Sequence, residues 1–141
     1  MRKLIAALVF VVAAVVSTVE LGTAQASVSE PTVGDSIRYE FISNSRYLDS
    51  FSWYDGWNDL QRFPEEIDHH VRLNSSFRNS EGVTLWRGTR TVTSHSTYQL
   101  TGSYVTAYDE AYHPYVECRI YVNGVLTERD SATGSYASAF C

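Results

Sequence analysis

Four histidines, several adjacent acids and an excess of tyrosine are the residues of this chain that could do chemistry. Asp68-His69-His70 is the nearest thing to a metal-ligand cluster, with His95 or His113 as distant complements. On an extended strand Asp68 and His70 share a face while His69 points away, so two ligands can begin a site there. A structural zinc site takes four ligands, and no motif supplies the other two. No metal is assigned.

Glu65-Glu66 and Asp109-Glu110 are acid pairs of the kind glycoside hydrolysis needs. Adjacent acids on a strand point to opposite faces, and in loops they are commonly solvated. Serine is plentiful, yet no Gly-x-Ser-x-Gly elbow and no Ser/His/Asp grouping occurs. The expectation is a chain with no catalytic residues and no cofactor.

Aromatic side chains are the unusual abundance: ten tyrosines and three tryptophans, all beyond residue 26. Trp53 and Trp86 fall on predicted strands and are expected in the core, in the manner of a sandwich's central tryptophan. Trp57, in the turn Asp55-Gly56-Trp57-Asn58-Asp59, and Tyr108, Tyr112 and Tyr115 around His113 fall in predicted loops. Amphipathic aromatics in loops make good contacts to protein, glycan or lipid surfaces, so these four are the candidate binding residues.

The elements that position them are strands. Val116, Cys118, Ile120 and Val122 alternate with Glu117, Arg119, Tyr121 and Asn123, the period of a strand with one buried face. Asn123-Gly124 then tolerates positive φ at both corners of a type I′ turn. A two-residue loop sets Val122 opposite Val125, Tyr121 opposite Leu126 and Arg119 opposite Glu128. A turn at 131–135 releases a closing strand from Tyr136 to Cys141.

Upstream, Ile37, Tyr39 and Phe41 alternate on a first strand, and 50–55 forms a second that closes at Asp55-Gly56. The stretch 60–68 is undecided: Pro64 biases Phe63 toward extended geometry and permits one helical turn through Glu65 and Glu66. A strand is expected over 69–77, and a longer one over 83–93 with a bulge near Gly88. A looser one spans 97–108. Strands recurring every 10–15 residues, with turn chemistry between them, argue an antiparallel β-sandwich of about seven strands.

The first 26 residues read differently. Arg2 and Lys3 precede an apolar run from Leu4 to Val16, and Ala24-Gln25-Ala26 offers an Ala-x-Ala cleavage site. A cleaved signal is one reading. A retained anchor is the other, although a spanning helix wants about 20 apolar residues and this run meets Glu20 after roughly 16. The organisation is therefore 1–26 signal peptide or anchor, 27–35 lead-in and 36–141 folded domain.

Removing 1–26 takes Arg2, Lys3 and Glu20 from the chain's 11 bases and 16 acids, leaving 9 arginines against 15 acids, a net charge of −6. An acidic domain without a basic cluster is a poor nucleic-acid binder. About 115 residues suffice for one core and not for two. Two cysteines in an exported chain most simply form one disulfide, Cys118–Cys141. Closing that loop is credited with roughly 3–3.5 kcal/mol by the chain-entropy model.

The tail resembles the end of the mycobacterial small membrane protein family (MmpS) in Cys118-Arg119-Ile120, Val122-Asn123-Gly124-Val125, Glu128, Gly134-Ser135-Tyr136-Ala137 and Cys141. Ile37-Arg38-Tyr39-Glu40-Phe41 is similar to that family's first strand, and Thr84-Leu85-Trp86 sits where the family has Leu-Pro-Trp. The resemblance implies an immunoglobulin-like β-sandwich on the outer side of the plasma membrane. It also implies an accessory role to large RND-type transporters that export lipids or siderophores, with structural cysteines and no catalytic residues.

Overall fold

The computed structural model describes residues 30–64, 70–110 and 112–141. The strands are β1 (Ser36–Ser43), β2 (Tyr47–Leu48), β3 (Ser50–Tyr54), β4 (Leu60–Phe63), β5 (Val71–Arg72) and β6 (Ser75–Arg78), followed by β7 (Thr84–Thr93), β8 (Ser103–Tyr108), β9 (Tyr115–Val122), β10 (Val125–Thr133) and β11 (Tyr136–Phe140). They form a five-stranded sheet in the order β10-β9-β1-β7-β6, a four-stranded sheet in the order β11-β8-β3-β4, and a small β2-β5 pair. Every pairing is antiparallel. The expected immunoglobulin-like antiparallel sandwich with one disulfide is the architecture observed.

Period-two patterning explains the core. Ile37, Tyr39 and Phe41 of β1 and Val116, Cys118, Ile120 and Val122 of β9 point inward and are buried against Phe51, Val105, Ala107, Ala137 and Ala139 of the facing sheet. Phe41 and Phe51 stack across the two sheets with ring centroids 4.1 Å apart. That central place was expected for tryptophan. Trp53 and Trp86 are only half-buried, packed at the rim of the core, and Arg46 lies over the Trp86 ring at 4.7 Å.

The strands outnumber the seven expected because several runs divide. The run over 69–77 breaks into β5 and β6 around Leu73 and Asn74, and Leu73 is buried. The undecided stretch at 60–63 is the hairpin partner of β3. The helical turn suggested at Glu65-Glu66 lies outside the described residues.

β7 pairs with β1 in one unbroken register, so no bulge occurs at Gly88. Gly88 serves packing instead: a Cβ there would stand 3.0 Å from Cδ2 of Leu73. Residues 94–102 are loop, so the third run begins as a strand only at Ser103, and Tyr98 is exposed.

The bulge sits in the C-terminal hairpin. Val125 faces Val122 and Leu126 faces Tyr121 as the Asn-Gly turn requires, but the register then shifts between Leu126 and Glu128. Thr127 is the extra residue, its hydroxyl donating to the Ile120 carbonyl at 3.0 Å. Consequently Glu128 faces Ile120, and Arg129, not Glu128, lies opposite Arg119. β10 also runs through Thr133, which shortens the expected turn at 131–135 to Gly134 and Ser135.

The two sheets are fastened at one side. The Phe140 amide donates to Oδ2 of Asp130 at 2.9 Å, joining β11 to β10. The Cys118–Cys141 disulfide joins β9 to the end of β11. It is compatible with an oxidising compartment.

Candidate ligand-binding surfaces

The four aromatics singled out in the sequence do not form one surface. Trp57 sits in the β3–β4 turn, 68% exposed and stacked on His95 with centroids 4.3 Å apart. Its turn is built by Asp55, whose Oδ1 accepts from the amides of Trp57 and Asp59 at 2.9 and 3.0 Å. Asn58 then ties the turn to the loop before β8: its Nδ2 donates to the Tyr98 carbonyl at 2.9 Å, and its Oδ1 accepts from the Leu100 amide at 2.7 Å. The turn therefore displays Trp57 on a cross-braced support. Tyr112 lies in the β8–β9 loop, 81% exposed, near the opposite end of the strands.

Tyr108 and Tyr115 are strand residues, the last of β8 and the first of β9, and the loop between them is shorter than expected. They belong to different sheets and to different outer faces. Each sheet thus has its own candidate surface.

The outer face of the four-stranded sheet is aromatic and hydroxylic. β11 pairs with β8 so that Tyr136 faces Tyr108, Ser138 faces Thr106 and Phe140 faces Tyr104. Tyr108 and Tyr136 stack at 4.3 Å, and Tyr104 and Phe140 pack at 4.6 Å. Tyr136 and Phe140 remain 75% and 65% exposed. Between the two aromatic bands run Ser138 and Thr106, and the Ser50 hydroxyl meets that of Thr106 at 3.1 Å. The bands are four residues apart along each strand, roughly 13 Å at the rise of an extended chain. Tyr108 also donates to Glu110 at 2.7 Å. Its hydroxyl is raised above the ordinary tyrosine range by hydrogen bonding to Tyr136 and then to Glu110.

The outer face of the five-stranded sheet is ionic. Glu117 on β9 is 1% exposed although it points away from the core. Its carboxylate accepts from the Tyr115 hydroxyl, from Arg119 Nε at 2.5 Å and from Arg129 Nε at 2.6 Å. Glu40 on β1, also buried, lies 3.5 Å from Arg38, 3.6 Å from Arg87 and 3.9 Å from Arg119. An alternating ladder, Arg87–Glu40–Arg119–Glu117–Arg129, therefore crosses four neighbouring strands.

Burial alone would push the Glu117 carboxyl up, but the hydrogen bonds from Arg119, Tyr115 and Arg129 outweigh it and hold the group below the usual carboxylate range. Tyr115 is raised by burial and by its bond to Glu117. Arg129 is raised by Glu117, and Arg119 is raised by the same carboxylate despite its burial.

Beside the ladder lies an open groove of about 630 Å³. Glu117, Arg119, Arg129 and Tyr115 line one side, and Phe77, Val83 and Leu85 line the other.

Alternation in the sequence carried part of this ladder, since Glu117 and Arg119 fall between inward residues of β9. Arg129 was not legible, because the bulge that turns it outward leaves no composition signal. Tyr104 with Tyr108, and Tyr136 with Phe140, are four apart on strands, the spacing that places aromatics on one face.

Of the metal-ligand cluster, Asp68 and His69 lie outside the described residues. His70 is exposed, with Nε2 3.5 Å from Asp49. Among the described residues no group of three or more His, Cys, Asp or Glu could hold a metal, and no helix is long and apolar enough to cross a membrane. His113 Nδ1 is 3.4 Å from the Ser135 hydroxyl. No protein-family model matches the chain, and no curated protein matches it.

Proposed function

We propose that this chain is an exported, non-enzymatic envelope protein that works by holding a partner, as an MmpS-like accessory to RND-type (MmpL-like) export of lipids or siderophores. The resemblance of the tail, the leader-like first 26 residues and a disulfide suited to an oxidising compartment support the reading. The observation that carries it is the aromatic platform. Tyr136 and Phe140 stand exposed on strands, not on mobile loops, so their faces are presented without an ordering cost. Exposed amphipathic aromatics grouped on a rigid face are what protein contact surfaces use.

The test is a crosslinked pull-down from the native membrane with a tagged chain, repeated with Tyr136→Ala and Phe140→Ala together. A large transporter captured by the wild type and lost from the double variant supports the reading. Repeated absence of any transporter from the wild-type capture sinks it.

A second reading is a free secreted module binding a neutral glycan. The hydroxyls of Ser138 and Thr106 between two aromatic bands favour it, since sugar rings offer both an apolar face and hydroxyls. Intact mass separates the two. Protein recovered from the medium and cleaved after Ala26 favours the free module, whereas full-length chain in the membrane favours the accessory.

A further inference from the structure

Three arginines scattered in the sequence meet at one edge of the sandwich. β6 pairs with β7 only from Thr84 to Arg87, so past that point this edge of β7 has no strand beside it among the described residues. Arg87 and Arg90 are three apart and leave the strand on opposite sides of the open edge. Arg72 comes from β5. Together they line an open groove of about 660 Å³, within the roughly 300–1,000 Å³ range of small-molecule sites. Its floor is apolar, made by the buried side chains of Phe51, Val71 and Leu73.

Charge sets this groove apart. No acid lines it among the described residues. Glu40 lies 3.6 Å from Arg87, and Asp49 lies 3.5 Å from His70, but neither acid lines the groove. Arg72 and Arg90 have no ion-pair partner among the described residues. Once Arg87 is set against Glu40, two guanidiniums remain unmatched in one groove, on a chain whose formal net charge is −5.

Arg90 is also held in place. Its guanidinium lies 5.3, 5.2 and 5.9 Å from the ring centroids of Phe51, Trp53 and Phe63, and Nη1 donates to the Thr89 carbonyl at 3.1 Å. A guanidinium is drawn to rings through its flat face, so the remaining N–H donors in its plane stay open to a ligand. Asn74, Ser75 and Thr89 add neutral side-chain donors to the same lining. Many donors and no carboxylate suit a ligand rich in acceptors. A phosphate ester brings three acceptor oxygens and a charge of about −1.5 to −2 at neutral pH, which two guanidiniums match.

We propose that this groove binds a phosphate monoester, with its anionic head at Arg72 and Arg90 and its organic body against the apolar floor. The site is separate from the aromatic platform and needs no transporter.

The test titrates phenyl phosphate into the purified full chain by calorimetry and amide NMR, at a pH well above the second phosphate pKa of about 6. Benzyl alcohol and inorganic phosphate are the comparisons. Phenyl phosphate should shift the amides of Arg72, Asn74, Thr89 and Arg90 and bind more tightly than either. Arg72→Gln, at an exposed position, should weaken binding about tenfold by removing a charge-assisted contact. Arg78→Gln, at an exposed arginine outside the groove, should leave it unchanged. Equal weakening by both variants would reduce the effect to diffuse charge attraction, equal binding of benzyl alcohol to an apolar patch, and equal binding of inorganic phosphate to an adventitious ion only. Glu65, Glu66 and Asp68 lie outside the described residues, between Phe63 and His70 in the chain. No binding by the wild type, gained when these three are replaced by their amides, would make the chain's own acids the occupant. Each of these results overturns the proposal, as do shifts confined to other amides, which need no variant to read.

Discussion

Arg129 lies directly opposite Arg119 across the β9–β10 ladder, and both guanidiniums close on the single buried carboxylate of Glu117. Like charges facing each other on a ladder repel. Here the anion between them turns the pair into an attraction, and the ladder depends on that one group.

Replacing Glu117 with Gln should therefore destabilise the domain out of proportion to the change in size. Removing one partner of a buried pair costs about 3–5 kcal/mol when the rest stays buried. Because Arg129 is 55% exposed and can rehydrate, the expected loss is about 2 kcal/mol, read by urea unfolding. Arg129→Gln should cost less, since Glu117 keeps Arg119 and Tyr115.

The same group sets an acid limit. Its folded pKa is depressed, so its contribution is fully present above the unfolded value of about 4.3 and is lost as pH falls through the folded one. Tyr115 works at the other end: its raised pKa means that its contribution is complete below about 10 and is lost as pH rises through the folded value. Unfolding free energy measured against pH should fall at both ends. Glu117→Gln should flatten the acid slope, and Tyr115→Phe the alkaline one.

Deleting Thr127 should close the bulge without moving the register: Glu128 would still face Ile120 and Arg129 would still face Arg119, so the bonds of Arg129 to Glu117 and of Asp130 to the Phe140 amide survive. The deletion should therefore lower the melting temperature little more than Thr127→Ala, which loses only the hydroxyl bond to the Ile120 carbonyl, about 1 kcal/mol.

Replacing Cys118 and Cys141 with Ser should cost roughly 3 kcal/mol. In a domain of this size each kcal/mol moves the melting temperature by roughly 4–8 °C, so differential scanning calorimetry with and without the bridge reads it directly.

Tyr136→Ala and Phe140→Ala should leave stability within about 0.5 kcal/mol of wild type, because both rings are mostly in solvent. Trp57→Ala and Tyr112→Ala should do the same. Unfolding of any of these variants would show that the ring holds the domain together and is no contact residue.

The fold was readable because alternation and turn chemistry are local. Val116 through Val122 and the Asn123-Gly124 corner fix their own geometry, and two cysteines leave one intramolecular pairing. The surfaces were less readable because they depend on which strands become neighbours. Tyr108 and Tyr136 are far apart in the chain and meet only because β11 crosses to the four-stranded sheet. Trp57 and Tyr112 look alike in sequence, yet opposite strand directions carry them to different ends. The Arg119–Glu128 pairing failed for a single reason, the unsignalled extra residue at Thr127.

The bridge from Cys118 to Cys141 also has a mechanical meaning. Sheets held face to face by dispersion and apolar burial resist being pulled apart but have little to stop one sliding over the other. Cys118 is anchored in a strand with neighbours on both sides, while Cys141 is clamped to Ser103 by reciprocal main-chain bonds of 2.9 and 3.0 Å. A shearing load between the layers therefore runs through a covalent tie with hydrogen-bonded footings at each end. Along that line the domain behaves as a rivet and not as a stack.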